Sequence, residues 1–200
     1  MRPRSLPLAV IALLAAACGG PAFVRDTDNP EVDEYAMSTG LDKKDLERLF
    51  KENEKSLLEG AAMRRWRDLS KDGKEATVAV FPVINETSEH IDSQLDALLS
   101  KFETNLVNSG TVTVISYERQ RALVDEIAKQ QSAAFDPDQV ARLGKQIGAQ
   151  YFLTGKVHDS AERTGEERRT QYFLFMQVID VETGAIRWQN EANLTKALIN

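Results

Sequence analysis

One cysteine, two histidines and 31 carboxylates are the side chains of this 200-residue chain with the most obvious chemistry to offer. A thiol nucleophile needs a base beside it, and Cys18, in the stretch "LLAAACGG" at 13–20, has no histidine near it in sequence. Zinc needs three or four ligands, drawn from residue types the chain scarcely owns. His90 falls in the loop "NETSEH" and His158 at the expected end of a strand, each without a neighbouring cysteine, histidine or motif-spaced serine; ordinary surface histidines account for both. Carboxylates are numerous enough for a two-carboxylate glycosidase, yet most lie in runs such as "KENEKSLLEG" and "GEERRTQ" that read as solvated surface. Neither G-x-x-x-x-G-K-[ST] nor G-x-G-x-x-G occurs to cradle a phosphate. These residues point to a binder that uses no cofactor, and against a small-molecule substrate.

What precedes the cysteine gives it a different task. Arg2 and Arg4 form a positive start, Leu6 to Ala17 an apolar run, and Ala15, Ala16 and Ala17 the small residues of a cleavage site, the pattern of a secretion signal. The run is shorter than the roughly 20 residues of a membrane-spanning helix and contains Pro7. Small residues ending at a cysteine, followed by Gly19 and Gly20, resemble the bacterial lipobox, which makes Cys18 the lipidated first residue of the mature chain. That family usually has Leu three residues before the cysteine; here the position is Ala15, with Leu14 one place earlier. The same alanines satisfy the A-x-A rule of ordinary secretion, which would leave Cys18 unlipidated. Lipidation is favoured because a lone cysteine forms no internal disulfide and an exported free thiol is a liability. Gly19 in place of Asp resembles the outer-membrane sorting choice.

Removing residues 1–17 takes away two arginines and no acid, leaving 23 basic and 31 acidic side chains, a net charge of −8. This balance argues against a nucleic-acid partner, since phosphate binding asks for a basic face. From Gly19 to Gly40 the chain carries five acids, one base, two prolines and three glycines with little apolar periodicity, the composition of a flexible tether. Its 22 residues reach about 75 Å when fully extended. The expected organisation is a signal at 1–17, a lipidated N-terminus and acidic tether at 18–40, and a globular domain at 41–200.

Within that domain Leu46, Leu49, Phe50, Leu57 and Leu58 make a helical stripe that begins near Asp42 and Asp45 and stops at Gly60, with Trp66 docking this helix. "ATVAVFPVI" at 76–84 is apolar on both faces, which predicts a covered strand; Pro82 suggests an edge or a strand end. Ile91, Leu95, Leu98, Leu99, Phe102 and Leu106 predict a helix closed by Gly110, and "TVTVIS" a short strand. Ser116 is placed to cap a helix carrying Leu123 and Ile127. Asp136 and Pro137 start another with Val140, Leu143 and Ile147, closed by Gly148. "AQYFLTGKV", "QYFLFMQVIDV" and "AIRWQNEANL" read as strands, with "AERTGEERR" as a turn and "ETG" as a tight hairpin. The predicted fold is α/β, α+β-like: one mixed sheet of about four to five strands packed with helices.

Across 45–195 the ordered set of features resembles the LpoB-type outer-membrane lipoproteins, activators of peptidoglycan synthases. The features are a strand ending in an Asn-x-Thr turn (Asn85, Glu86, Thr87), an Ile91-Asp92 helix start, a Ser109-Gly110 stop, a strand leading to a Tyr-Glu-Arg helix start, and the stretches "GAQYFLTGKV" and "DVETGAIRW". The core is also similar to the curli secretion channel family and to the TolB N-terminal domain. The resemblance implies a noncatalytic periplasmic domain, hung from the outer membrane by its lipid, that docks on a bifunctional penicillin-binding protein and stimulates its glycosyltransferase and transpeptidase activities. Well-known members have long Pro-rich and Gln-rich linkers; the tether here is much shorter. The alternative is a non-enzymatic envelope assembly or secretion accessory of the same fold. A pore would need transmembrane strands of roughly 9–11 residues alternating apolar and polar, and the connections "NETSEH" and "AERTGEERR" are too short and too charged to supply them.

Two stretches are candidates for partner binding. Asn85 and Thr87 lie in a loop, where recognition concentrates, though with Ser88 they equally serve to turn the chain into the helix. Arg163, Arg168 and Arg169, with His158, form a local basic cluster able to pair with carboxylates, though Glu162, Glu166 and Glu167 among them equally provide self-neutralisation.

Overall fold

The computed structural model describes residue 36 and residues 38–115, 145–163 and 167–199. Helix α1 (Lys43–Glu59) starts where the local chemistry places it. Asp42 accepts from the Asp45 amide at 3.0 Å while the Asp45 carboxylate accepts from the Asp42 amide at 3.2 Å, a reciprocal cap. Leu46, Leu49, Phe50 and Leu57 are buried along one stripe, as the spacing predicts. The helix ends at Gly60, where a Cβ would stand 2.7 Å from the Ser56 carbonyl and 3.2 Å from Trp188 Cδ1; only glycine lets the chain turn there. A second helix, α2 (Ala61–Lys71), follows at once. Trp66, 1% exposed, docks α2 against Tyr151 at a ring separation of 5.3 Å.

The remaining elements are β1 (Ala76–Asn85), α3 (Asp92–Asn108), β2 (Val112–Ile115), β3 (Tyr151–Arg163), β4 (Glu167–Asp180) and β5 (Ile186–Ile199). They form one mixed sheet in the order β2-β1-β3-β4-β5. β2, β1 and β3 run parallel, with α3 crossing between β1 and β2; β3, β4 and β5 form an antiparallel meander. Strand β1 is apolar on both faces because both are used. Ala76, Val78 and Val80 join the large core with the three helices. Ala79 packs on the other side with Phe152, Ala149 and Val181, where Phe81 meets Phe152 edge-on at 4.8 Å. Helix α3 buries Leu95, Leu99, Phe102 and Leu106, with Ile91 buried just ahead of its first turn, and leaves through Gly110 at φ +62°, the left-handed stop its position predicts.

Three expectations change. Pro82 sits inside a central strand, neither at an edge nor at a strand end. It is tolerated because the β1–β3 register shifts between Val80 and Val83, which breaks the regular ladder around Pro82. "AERTGEERR" is mostly strand: β3 continues to Arg163 and β4 begins at Glu167, with Arg163 facing Arg168 in register. An antiparallel ladder propagates through charged residues when both faces of the hairpin meet water. His158 lies in the middle of β3, opposite Phe173, instead of at a strand end. The helix starts predicted at Ser116 and Asp136 fall outside the described residues; of the second helix, Lys145–Ile147 are helical ahead of Gly148.

Candidate functional site

The loop 85–90 leaves the end of β1. Asn85 Nδ2 donates to the Glu89 carbonyl at 2.8 Å, and Asn85 Oδ1 accepts from the Thr87 amide at 3.0 Å and the Thr87 hydroxyl at 2.7 Å. Thr87 Oγ1 in turn accepts from the Glu89 amide at 3.1 Å. Both predicted side chains are thus engaged inside the turn, where Asx and Ser/Thr geometry gives the chain its shape. The loop shows solvent Glu86, Ser88 and His90, beside exposed Ile84. Glu86 pairs with Lys156 of β3 at 3.1 Å, both ends about half exposed, a contact that adds little stability.

The predicted basic cluster is divided by strand alternation. Along β3, His158, Ser160 and Glu162 share a face, and their register partners on β4 are Phe173, Gln171 and Arg169. Arg169 therefore lies across from Glu162, an opposite charge. Arg168 projects from the other face of β4, level with exposed Leu198 of β5, and the backbone places Arg163 opposite it. His158 is two rows away from Arg169, stacked on Phe173 at 4.9 Å and 12°. Cys18 lies outside the described residues.

Sequence reasoning missed the densest polar cluster of the fold. Lys196 of β5 is 9% exposed; its Nζ donates to the Gly40 carbonyl at 2.8 Å, Asp42 Oδ2 at 2.8 Å and Asp45 Oδ2 at 2.7 Å. The Tyr172 hydroxyl of β4 donates to the Thr39 carbonyl at 2.9 Å and lies 3.3 Å from Glu89 Oε1. Burial alone would raise the Asp42 carboxyl, but the Lys196 ammonium and the Asp45 amide outweigh it and hold that carboxyl below its usual value. Burial would likewise lower the Lys196 ammonium; bonds to Asp42 and Asp45 outweigh it and raise it. The only hint in the sequence is a lysine inside the apolar run "NLTKALI".

Burial, followed by the negative charge of Glu89, pushes the Tyr172 hydroxyl up to about 12 from its ordinary 10.0. A raised value means the fold holds the proton more tightly than the unfolded chain does. The contribution of this hydroxyl to stability is therefore complete below pH 10 and is lost as pH rises toward 12. Tyr172→Phe is expected to flatten the decline of unfolding free energy between pH 10 and 12, measured by urea denaturation at stepped pH. An unchanged slope would contradict the assignment.

Among the described residues no three His, Cys, Asp or Glu side chains are grouped to hold a metal ion, and no helix is long and apolar enough to cross a membrane. The surface offers opposed charges, half-buried aromatic rings at Phe173 and Phe175, and hydrogen-bonding amides.

The profile of the family described as peptidoglycan-synthase activator LpoB matches residues 45–194. Among solved structures, the LpoB C-terminal domain from Salmonella enterica is 20% identical with a TM-score of 0.45, covering 72% of this chain and 97% of its own. The LpoB C-terminal domain from Escherichia coli is 19% identical with a TM-score of 0.41, covering 60% of this chain and 82% of its own. Lipoprotein GNA1162 from Neisseria meningitidis is 18% identical with a TM-score of 0.41, covering 61% and 83%. No curated protein sequence matches the chain significantly. The family profile spans the folded part from the first turn of α1 to Leu194 of β5 and takes in well over half of the chain, which therefore belongs to the peptidoglycan-synthase activator LpoB family.

Proposed function

We propose that this protein is an outer-membrane lipoprotein, acylated at Cys18 and facing the periplasm, that binds a bifunctional penicillin-binding protein and raises its activity without catalysing a reaction itself. The observation that carries this reading is the family match over 45–194. It is supported by a signal-like segment ending at the one cysteine, and by a fold in which most apolar side chains of the described residues are packed into two core clusters. Residues 18–40 supply the tether, its last residues Thr39 and Gly40 bound to the domain, and the domain at 41–200 is the activating part.

The test is glycan polymerisation by each purified bifunctional synthase of the source organism, with and without the purified domain. Stimulation of several-fold is expected, with no muropeptide release by the domain alone. Absence of both binding and stimulation across all synthases would overturn the reading, and ring-like oligomers in detergent would instead favour the assembly-accessory alternative. The candidate surfaces separate in the same assay. Arg168→Glu with Arg169→Glu is expected to weaken pull-down of the synthase if the β3–β4 end docks, whereas Glu86→Lys tests the loop after β1. Intact pull-down in both rejects both surfaces.

A further inference from the structure

Residues 38–42 reach the domain as an arm without regular secondary structure. Of its side chains Leu41 alone is buried, at 9% exposure. The rest of its attachment is polar. Tyr172 holds the Thr39 carbonyl; Lys196 holds the Gly40 carbonyl and the carboxylates of Asp42 and Asp45. Gly40 lies so close to the loop after β1 that a Cβ would stand 2.9 Å from Glu89 Oε1. The next firmly buried side chains, Leu46 and Leu49, are already inside α1. The arm is thus tied to Tyr172 of β4 and to the far part of β5, and lies against the loop after β1, three pieces joined to one another through the sheet.

We propose that the Lys196–Tyr172 cluster is a tension-bearing joint: a pull on the N-terminal segment is delivered through these two side chains into β4 and β5, instead of peeling the arm and the first turn of α1 from the domain. A buried ammonium suits the task, because it binds three oxygens contributed by three different residues and remains charged at any physiological pH. Tyr172 adds a second tie on the opposite side of Gly40. Were these removed, Leu41 would be the chief remaining hold on the arm. The joint has a use only if the far end of the tether is held, so this inference rests on the anchored reading above.

Single-molecule pulling on the unacylated full-length chain tests it without any lipid. The Cys18 thiol is one handle, and a cysteine placed at exposed Glu182 in the β4–β5 turn, Glu182→Cys, is the other. The chain with Lys196 and Tyr172 intact is expected to lengthen only by its N-terminal segment until the whole domain unfolds. Lys196→Met and, separately, Tyr172→Phe are expected to add an earlier extension of about 2 nm, the extended length of residues 39–45, at a lower force. Tyr172→Phe keeps the ring in the core and carries the test if Lys196→Met does not fold. Lys71→Met, which removes an exposed pair with Asp68, is expected to leave the trace unchanged. The same early step in the chain with both ties intact, or its absence from both latch variants, overturns the proposal. Failure of the anchored reading shows separately, as unacylated Cys18 in cells with the traces unaltered.

Discussion

Trp66→Ala is expected to lower the unfolding free energy by about 3–5 kcal/mol, the largest loss from any single side chain of the fold. Trp66 is 1% exposed and is the biggest of the fully buried side chains. Besides it, helix α2 buries only the smaller Ala62 and the flexible Met63, with Leu69 partly buried against the same core. Truncation removes the tilted contact with Tyr151 and opens a void that the parallel strands cannot collapse around. For a domain of this size the loss corresponds to a fall in Tm of roughly 10 °C, read by calorimetry. Trp66→Phe gives the internal control. The indole Nε1 has no hydrogen-bond partner among the described residues, so replacing it removes no bond and is expected to cost well under half as much. A Trp66→Ala variant that melts within 2 °C of the parent, a shift of under about 1 kcal/mol, would show that α2 is not docked as described.

Cys18→Ala is expected to move the exported chain from the membrane pellet to the soluble fraction almost completely. Each buried methylene contributes about 0.8 kcal/mol, and stable attachment needs more than one chain; the several acyl chains of a lipoprotein meet that need. The readout is immunoblotting after fractionation, with mass spectrometry of the mature N-terminus. Ala15→Leu, which supplies the residue usual three places before a lipobox cysteine, is expected to leave the chain in the pellet. A parent chain that is already soluble, with a free N-terminal Cys18, would mean cleavage by the A-x-A route and would overturn the lipid anchor.

Much of the architecture can be read locally. The stripe Ile91–Leu106, the reciprocal cap of Asp42 and Asp45, and the doubly covered run "ATVAVFPVI" each encode an element by period or by chemistry within a few residues. What escapes is what depends on distant partners. Helix α2 carries "RRWR" at 64–67 and follows a glycine, so local signals argue for a break; its buried face is made by residues far along the chain, Tyr151 among them. The length of the β3–β4 hairpin is decided by pairing with β5, not by its own charged residues. The Lys196 cluster joins residues 151 to 156 positions apart, and no window of sequence contains both sides of it. For the candidate surfaces, composition located the arginines, and only strand alternation reveals that Arg168 and Arg169 face opposite ways.

The arm enters the sheet off-centre, beside Tyr172 of a strand that runs from Glu167 to Asp180. The domain is therefore a lever with unequal limbs. At about 3.4 Å per residue the strand extends roughly 17 Å behind the pivot and roughly 27 Å ahead of it. If Cys18 is acylated as proposed, a segment of about 75 Å at full stretch together with the forward limb would set a ceiling of about 100 Å between the bilayer surface and the β4–β5 turn. A receptor that had to meet this turn and stood farther from the lipid than that would be out of range for the anchored chain, whatever its affinity.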